Sequence, residues 1–143
     1  MNSKTISIAI DGPVGSGKGT LAVALAKRLN AFYVYTGAMY RELTLACLRD
    51  KINIHNEEEI LQEFKNISIK LENTDYGVRA YLNGLEVSDE IFQPSISKMV
   101  PIIAAFPQVR KEMVVRQQKM AEDALEAGTS VVMEGRDIAT DVL

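Results

Sequence analysis

The spacing of apolar positions changes several times along the chain, and each change predicts a new element. Ile6 to Ile10 is a continuous apolar run, which predicts a short buried strand. From Lys18 to Asn30, Leu21, Leu25 and Leu29 recur every fourth residue with Ala22 and Ala26 beside them. That spacing predicts an amphipathic helix with one apolar stripe, and Asn30 suits a left-handed close. Ala31 to Tyr35, AFYVY, is aromatic and β-branched and predicts a second buried strand. Strand, helix, strand makes a βαβ unit, hence a parallel sheet with a right-handed crossover.

Further along, Thr36 opens a helix to about Asp50, and Asn56 caps another through Phe64. Ile67 to Leu71 and Val78 to Leu82 alternate, and Asn83-Gly84 predicts a two-residue hairpin with a return strand at Leu85 to Val87. A helix from Pro94 should end or kink near Pro101. Another runs from Pro107 to Ala127, with Val109, Met113, Met120, Ala124 and Leu125 as its buried stripe and Gly128 as its stop. Ser130 to Met133 is a further strand, ending in Glu134-Gly135-Arg136-Asp137. The fold class is α/β: a parallel sheet with flanking helices, plus an inserted small α+β part built on an antiparallel hairpin.

The segment between the first strand and the first helix carries the clearest chemistry. Gly12-Pro13-Val14-Gly15-Ser16-Gly17-Lys18 is a G-x-x-x-x-G-K turn between a strand and a helix, the P-loop arrangement. Its backbone N–H groups turn inward at a phosphate, the helix start adds partial positive charge, and Lys18 adds a full one. Gly19 follows the lysine and the hydroxyl comes at Thr20, so the metal-ligating hydroxyl of most P-loops is absent. A metal there would depend on carboxylates, waters and phosphate oxygens. The G-K-G-T ending is similar to the loop of nucleoside monophosphate kinases.

Other polar residues stand where chemistry would need them. Thr36 follows a strand end, where open α/β sheets bind ligands, and is equally a good N-cap. Arg110 lies in the first turn of a helix, where the dipole disfavours a cation; it reads as a surface arginine or as an anion-binding one. In the quartet at 134–137, Arg136 can clamp a phosphate, and Glu134 or Asp137 can serve a metal or a hydroxyl proton. His55, the only histidine, has no cysteine or histidine near it and reads as having no catalytic or metal role.

Composition narrows the class. At 143 residues the chain has room for one core, with 47% hydrophobic and 24% charged residues. A net charge of −3 argues against nonspecific nucleic-acid binding. The single cysteine, Cys47, falls in an apolar helical stretch and reads as core, in a reducing compartment. No apolar run approaches a membrane span, and the first residues do not read as a signal peptide, so a cytoplasmic location is expected.

Several blocks together carry a family resemblance: Ile10-Asp11-Gly12-Pro13, the G-K-G-T loop, Thr36 to Arg41 (TGAMYR), Phe106 to Arg110 (FPQVR) and Glu134 to Ile138 (EGRDI). In order and spacing they resemble bacterial cytidylate kinase. The resemblance implies transfer of the ATP γ-phosphate to CMP or dCMP, giving CDP or dCDP, with Mg²⁺. It implies ATP binding by Gly12, Pro13, Val14, Gly15, Ser16, Gly17, Lys18, Gly19 and Thr20. Acceptor contacts would come from Thr36, Arg41, Arg110, Glu134 and Arg136, and catalysis from Lys18, Arg136 and Asp137. Asp11 and Asp137 are candidates for the metal, with no ligand set assigned. Residues 36–101 would be the monophosphate-binding insertion, and 1–35 with 102–143 the P-loop core. Partners would be the small-molecule substrates alone, with no nucleic acid or membrane and a monomeric whole enzyme.

The chain departs from the family pattern at Tyr35 and Glu134, where Asp is usual, and at Pro101 and Ala139, where Ser and Gly are frequent. The family's arginine-rich lid and remaining strands would follow position 143, so the chain reads as a truncated form. The alternatives are an inactive nucleotide-binding fragment and a P-loop kinase for another small acceptor.

Overall fold

The structure, a computed structural model, describes residues 5–12, 17–75, 77–135, 138 and 142–143. The chain divides into two compact units, Met1–Thr36 with Val114–Leu143, and Gly37–Met113.

The first unit is built on three parallel strands, β1 (Ser7–Asp11), β2 (Phe32–Tyr35) and β6 (Val131–Gly135), in the order β1-β6-β2. The strand latest in sequence is central. Paired on both edges, β6 is buried at all five positions. β1 is an edge strand with no buried residue, which corrects the expectation of a buried strand at 6–10. Helix α1 (Lys18–Leu29) packs chiefly over β6, so Ile8, Ala9 and Ile10 receive only partial cover.

Helix α1 also corrects the predicted leucine stripe. Ala22 and Ala26 are its buried residues, while Leu21 is 54% and Leu29 40% exposed. Periodicity counts apolar residues alike, but a helix lying close on a sheet needs small ones at the contact. Asn30 closes the helix as expected, in the left-handed region with φ 51°.

In the second unit, α2 (Thr36–Arg49), which begins one residue earlier, is followed by α3 (Glu57–Lys65). Asn56 caps α3, its side chain accepting the Glu59 N–H at 3.2 Å. Strands β3 (Ile69–Thr74), β4 (Gly77–Leu82) and β5 (Leu85–Glu86) form an antiparallel sheet in that order. Asn83 and Gly84 both take positive φ, 52° and 83°, as a two-residue hairpin turn requires. One face of the sheet buries Ile69, Ala80 and Leu82. The other pairs Arg79 with Glu86 at 2.8 Å and Tyr81 with Glu72 at 3.4 Å.

A 3-10 turn at Glu90–Phe92 leads into α4 (Pro94–Ala104) and then α5 (Pro107–Glu126). Pro101 lies inside the last turn of α4, which ends at Ala104, so the helix stops near the proline but not at it. The proline removes one N–H near the C-terminal end, too little to stop the helix. Along α5 the buried positions are Val109, Met113, Gln117 and Ala121. The predicted Met120, Ala124 and Leu125 are only half-buried, because the true stripe passes through a glutamine that an apolar count skips. Cys47 is fully buried, as expected. Among the described residues no helix is long and apolar enough to cross a membrane.

Candidate functional site

In the first unit the candidate residues gather where the parallel strands end. β1 closes on Asp11, which registers with Gly135 of β6. Gly17 then holds φ 84°, a conformation that favours glycine, and starts α1 by accepting the Leu21 N–H at 3.2 Å. The N–H groups of Lys18, Gly19 and Thr20 therefore have no acceptor within the helix and open toward its N-terminal side. The Lys18 ammonium donates to the Gly12 carbonyl, bridging the two ends of the glycine-rich loop. Thr20 is exposed. Pro13, Val14, Gly15 and Ser16 lie outside the described residues.

Glu134 is the buried centre of this arrangement, at 3% exposure. Its Oε1 accepts the Tyr33 hydroxyl at 3.1 Å, and its backbone carbonyl accepts the Thr36 hydroxyl at 2.9 Å. A Cβ on Gly19 would come within 3.3 Å of Glu134 Oε1, which accounts physically for glycine directly after the lysine. A Cβ on Gly135 would overlap Thr36 Oγ1. Thr36 is thus buried and gives its proton to β6.

Tyr33 was not singled out by sequence reasoning. The signal was the alternation in AFYVY, which puts Tyr33 and Tyr35 on one face, but its partner appears only once β2 lies beside β6. Burial first, then the charge and hydrogen bond of Glu134, push its phenol well above the ordinary tyrosine range. Asp11, a metal candidate, accepts the Ile138 N–H. Arg136 and Asp137 lie outside the described residues, so half of the charged quartet has no described position. Among the described residues no group of three or more His, Cys, Asp or Glu could hold a metal ion.

The second unit carries the two other arginines. Arg41 donates through Nη1 to the Ile91 carbonyl at 3.0 Å and the Ser97 hydroxyl at 2.8 Å. Its guanidinium lies over the Phe92 ring, 4.9 Å from the centroid. Arg110 donates through Nη1 to the carbonyls of Ala104 and Ala105, at 3.0 and 2.8 Å. This adds a role to the two that the sequence suggested. The cation sits at the start of α5 but also at the carbonyl end of α4, where a positive charge is favourable. Its Nε and Nη2 make no hydrogen bond among the described residues.

Next to Arg41 stands a residue with no apparent place in the sequence pattern. Glu42 is fully buried, and neither carboxyl oxygen has a hydrogen-bond partner among the described residues. Burial pushes its carboxyl up to about 9. His55 is exposed.

Comparison with known proteins agrees over almost the whole chain. Residues 8–143 match the family model described as cytidylate kinase. Over 140 residues the chain is 46% identical to the cytidylate kinases of Bacillus thuringiensis (strain Al Hakam), Bacillus cereus (strain AH187) and Bacillus anthracis (strain A0248). The match covers 98% of this chain, which spans about 60% of the length of each of these relatives.

Proposed function

The chain belongs to the cytidylate kinase family, and from that membership we propose that it transfers the γ-phosphoryl group of ATP to CMP or dCMP, giving CDP or dCDP. The observation that carries the proposal is the α1 start: a left-handed Gly17, open N–H groups and Lys18 bound back to Gly12. Such a helix start is a ready cradle for phosphate oxygens. The alternative, a P-loop kinase for another small acceptor, shares that cradle and differs only in the acceptor.

In this reading residues 1–35 and 102–143 form the P-loop core and 36–101 the monophosphate-binding insertion. Gly12 to Thr20 hold the ATP phosphates, Pro13, Val14, Gly15 and Ser16 among them. Lys18 leaves the Gly12 carbonyl for the β- and γ-phosphate oxygens as they arrive. Arg41 and Arg110 hold the acceptor phosphate, each with Nε and Nη2 uncommitted among the described residues. Thr36 and Glu134 bound the nucleotide side of the strand ends, Arg136 steadies the transferring group, and Asp137 assists the metal or the attacking hydroxyl. Phosphoryl transfer needs little covalent help and much placement of positive charge, and lysine with several arginines supplies that.

The donor set suits Mg²⁺ in kind. Asp11 offers a hard oxygen at the end of β1, and magnesium takes one or two carboxylates with waters and phosphate oxygens. An ion held there would supply positive charge against the phosphate oxygens. From the family membership we also propose a cytoplasmic enzyme, monomeric when whole, acting on free nucleotides without nucleic acid.

Coupled ADP release tests this, with CMP, dCMP, UMP and AMP as rival acceptors. The expected result is Mg²⁺-dependent turnover with CMP and dCMP, abolished in Lys18→Ala. Faster turnover with AMP would overturn the acceptor assignment. Nucleotide binding without any turnover would overturn the catalytic part for this chain and leave a nucleotide-binding module.

A further inference from the structure

The guanidinium of Arg41 is fixed on three sides before a ligand arrives. Nη1 carries two protons, and both are taken, by the Ile91 carbonyl and the Ser97 hydroxyl. The flat face rests on Phe92, a ring left 51% exposed and so contributing little to any core. Ser97 is itself held at the start of α4, its N–H bonded to the Gln93 carbonyl at 3.1 Å. Arg49, two turns further along α2, pairs with Glu90 of the same 3-10 turn, so α2 grips that turn at two points.

We infer that Phe92 and Ser97 are positioning residues for Arg41, presenting its Nε–Nη2 edge as a preset fork for the phosphate of the acceptor nucleotide. The inference rests on the proposed acceptor role of Arg41. A guanidinium binds phosphate best through two parallel N–H bonds, and two edges of its fork can provide them. With Nη1 committed, only the Nε–Nη2 edge remains. A long side chain that closes on an anion loses rotamer freedom, and one already pinned loses less. The aromatic face adds a second restraint, because a ring attracts a cation above its plane without consuming an N–H.

The test is the ratio of CMP to cytidine affinity, measured by calorimetric titration of this chain and its variants. Cytidine lacks the phosphate, so a general loss of structure lowers both affinities, whereas a misplaced Arg41 lowers only that for CMP. Phe92→Leu should reduce the ratio about three- to fivefold, in line with a partly exposed cation–π contact. Ser97→Ala should reduce it about tenfold, as for a hydrogen bond to a charged group. Ser97→Thr, which keeps the hydroxyl, should restore most of it. A wild-type chain that prefers CMP, with the ratio unchanged in Phe92→Leu and Ser97→Ala, overturns the inference alone. A wild-type chain with no preference for CMP over cytidine overturns the acceptor reading and the inference with it.

Discussion

The Tyr33 hydroxyl donates to Glu134 Oε1 at 3.1 Å, one strand across the parallel sheet, and both side chains are buried. The same oxygen stands 3.3 Å from the position a Cβ would take on Gly19. Strands β2 and β6 and the first turn of α1 therefore meet at one carboxylate. A buried acceptor of this kind is expensive to leave unpaired.

Tyr33→Phe removes the donor and leaves the acceptor in place. It should lower unfolding stability by about 1–3 kcal/mol, read by urea denaturation. A loss below a few tenths would mean that water replaces the hydroxyl and that the bond organises nothing.

Gly19→Ala places a methyl group against Glu134 Oε1. Combined with Glu134→Asp, which draws the carboxylate back by one methylene, its cost should shrink. A double-mutant cycle by thermal denaturation should give a coupling of about 1 kcal/mol. Strict additivity would mean that the two sites do not meet.

Arg110→Ala removes two hydrogen bonds from the carbonyl end of α4 as well as a proposed acceptor contact. A stability loss of about 1 kcal/mol is expected with no ligand present, the usual scale for a helix-end contact. Unchanged stability in the free protein would leave the capping role without support.

Glu42 makes stability depend on pH. Its folded carboxyl titrates at about 9, well above the ordinary unfolded value, so folding favours the protonated form. The contribution is complete below about pH 4.3, falls by about 1.4 kcal/mol for each pH unit above that, and is gone once pH passes the folded value. Glu63, raised by burial and by the neighbouring Asp50 carboxyl, adds a loss of the same sign, so the comparison is between wild type and variant at each pH. Glu42→Gln should unfold less readily than wild type at pH 8 and show a flatter profile from pH 5 to 9. Parallel profiles would mean that the carboxyl finds partners the described residues do not provide.

By itself the sequence determined whatever depends on neighbours within a few positions. The left-handed Gly17 before Lys18, the left-handed close at Asn30, the Asn56 cap and the Asn83-Gly84 hairpin all follow from local backbone sterics and hydrogen bonding. Their residue types admit few other conformations. Family membership was legible for the same reason, since its blocks are local words in a set order. The tertiary structure decided which faces are used. β6, far beyond β1 and β2 in sequence, enters between them, and only then does α1 lie over it on Ala22 and Ala26 with Leu21 and Leu29 turned outward. The same insertion brings Glu134 to Tyr33 and Gly19. Arg41 and Arg110 likewise found their partners on α4 and the turn before it, elements that periodicity predicts one at a time. A pattern of period 2 or 3.6 says which residues share a face, but not which face meets which neighbour, because that depends on contacts far apart in the chain.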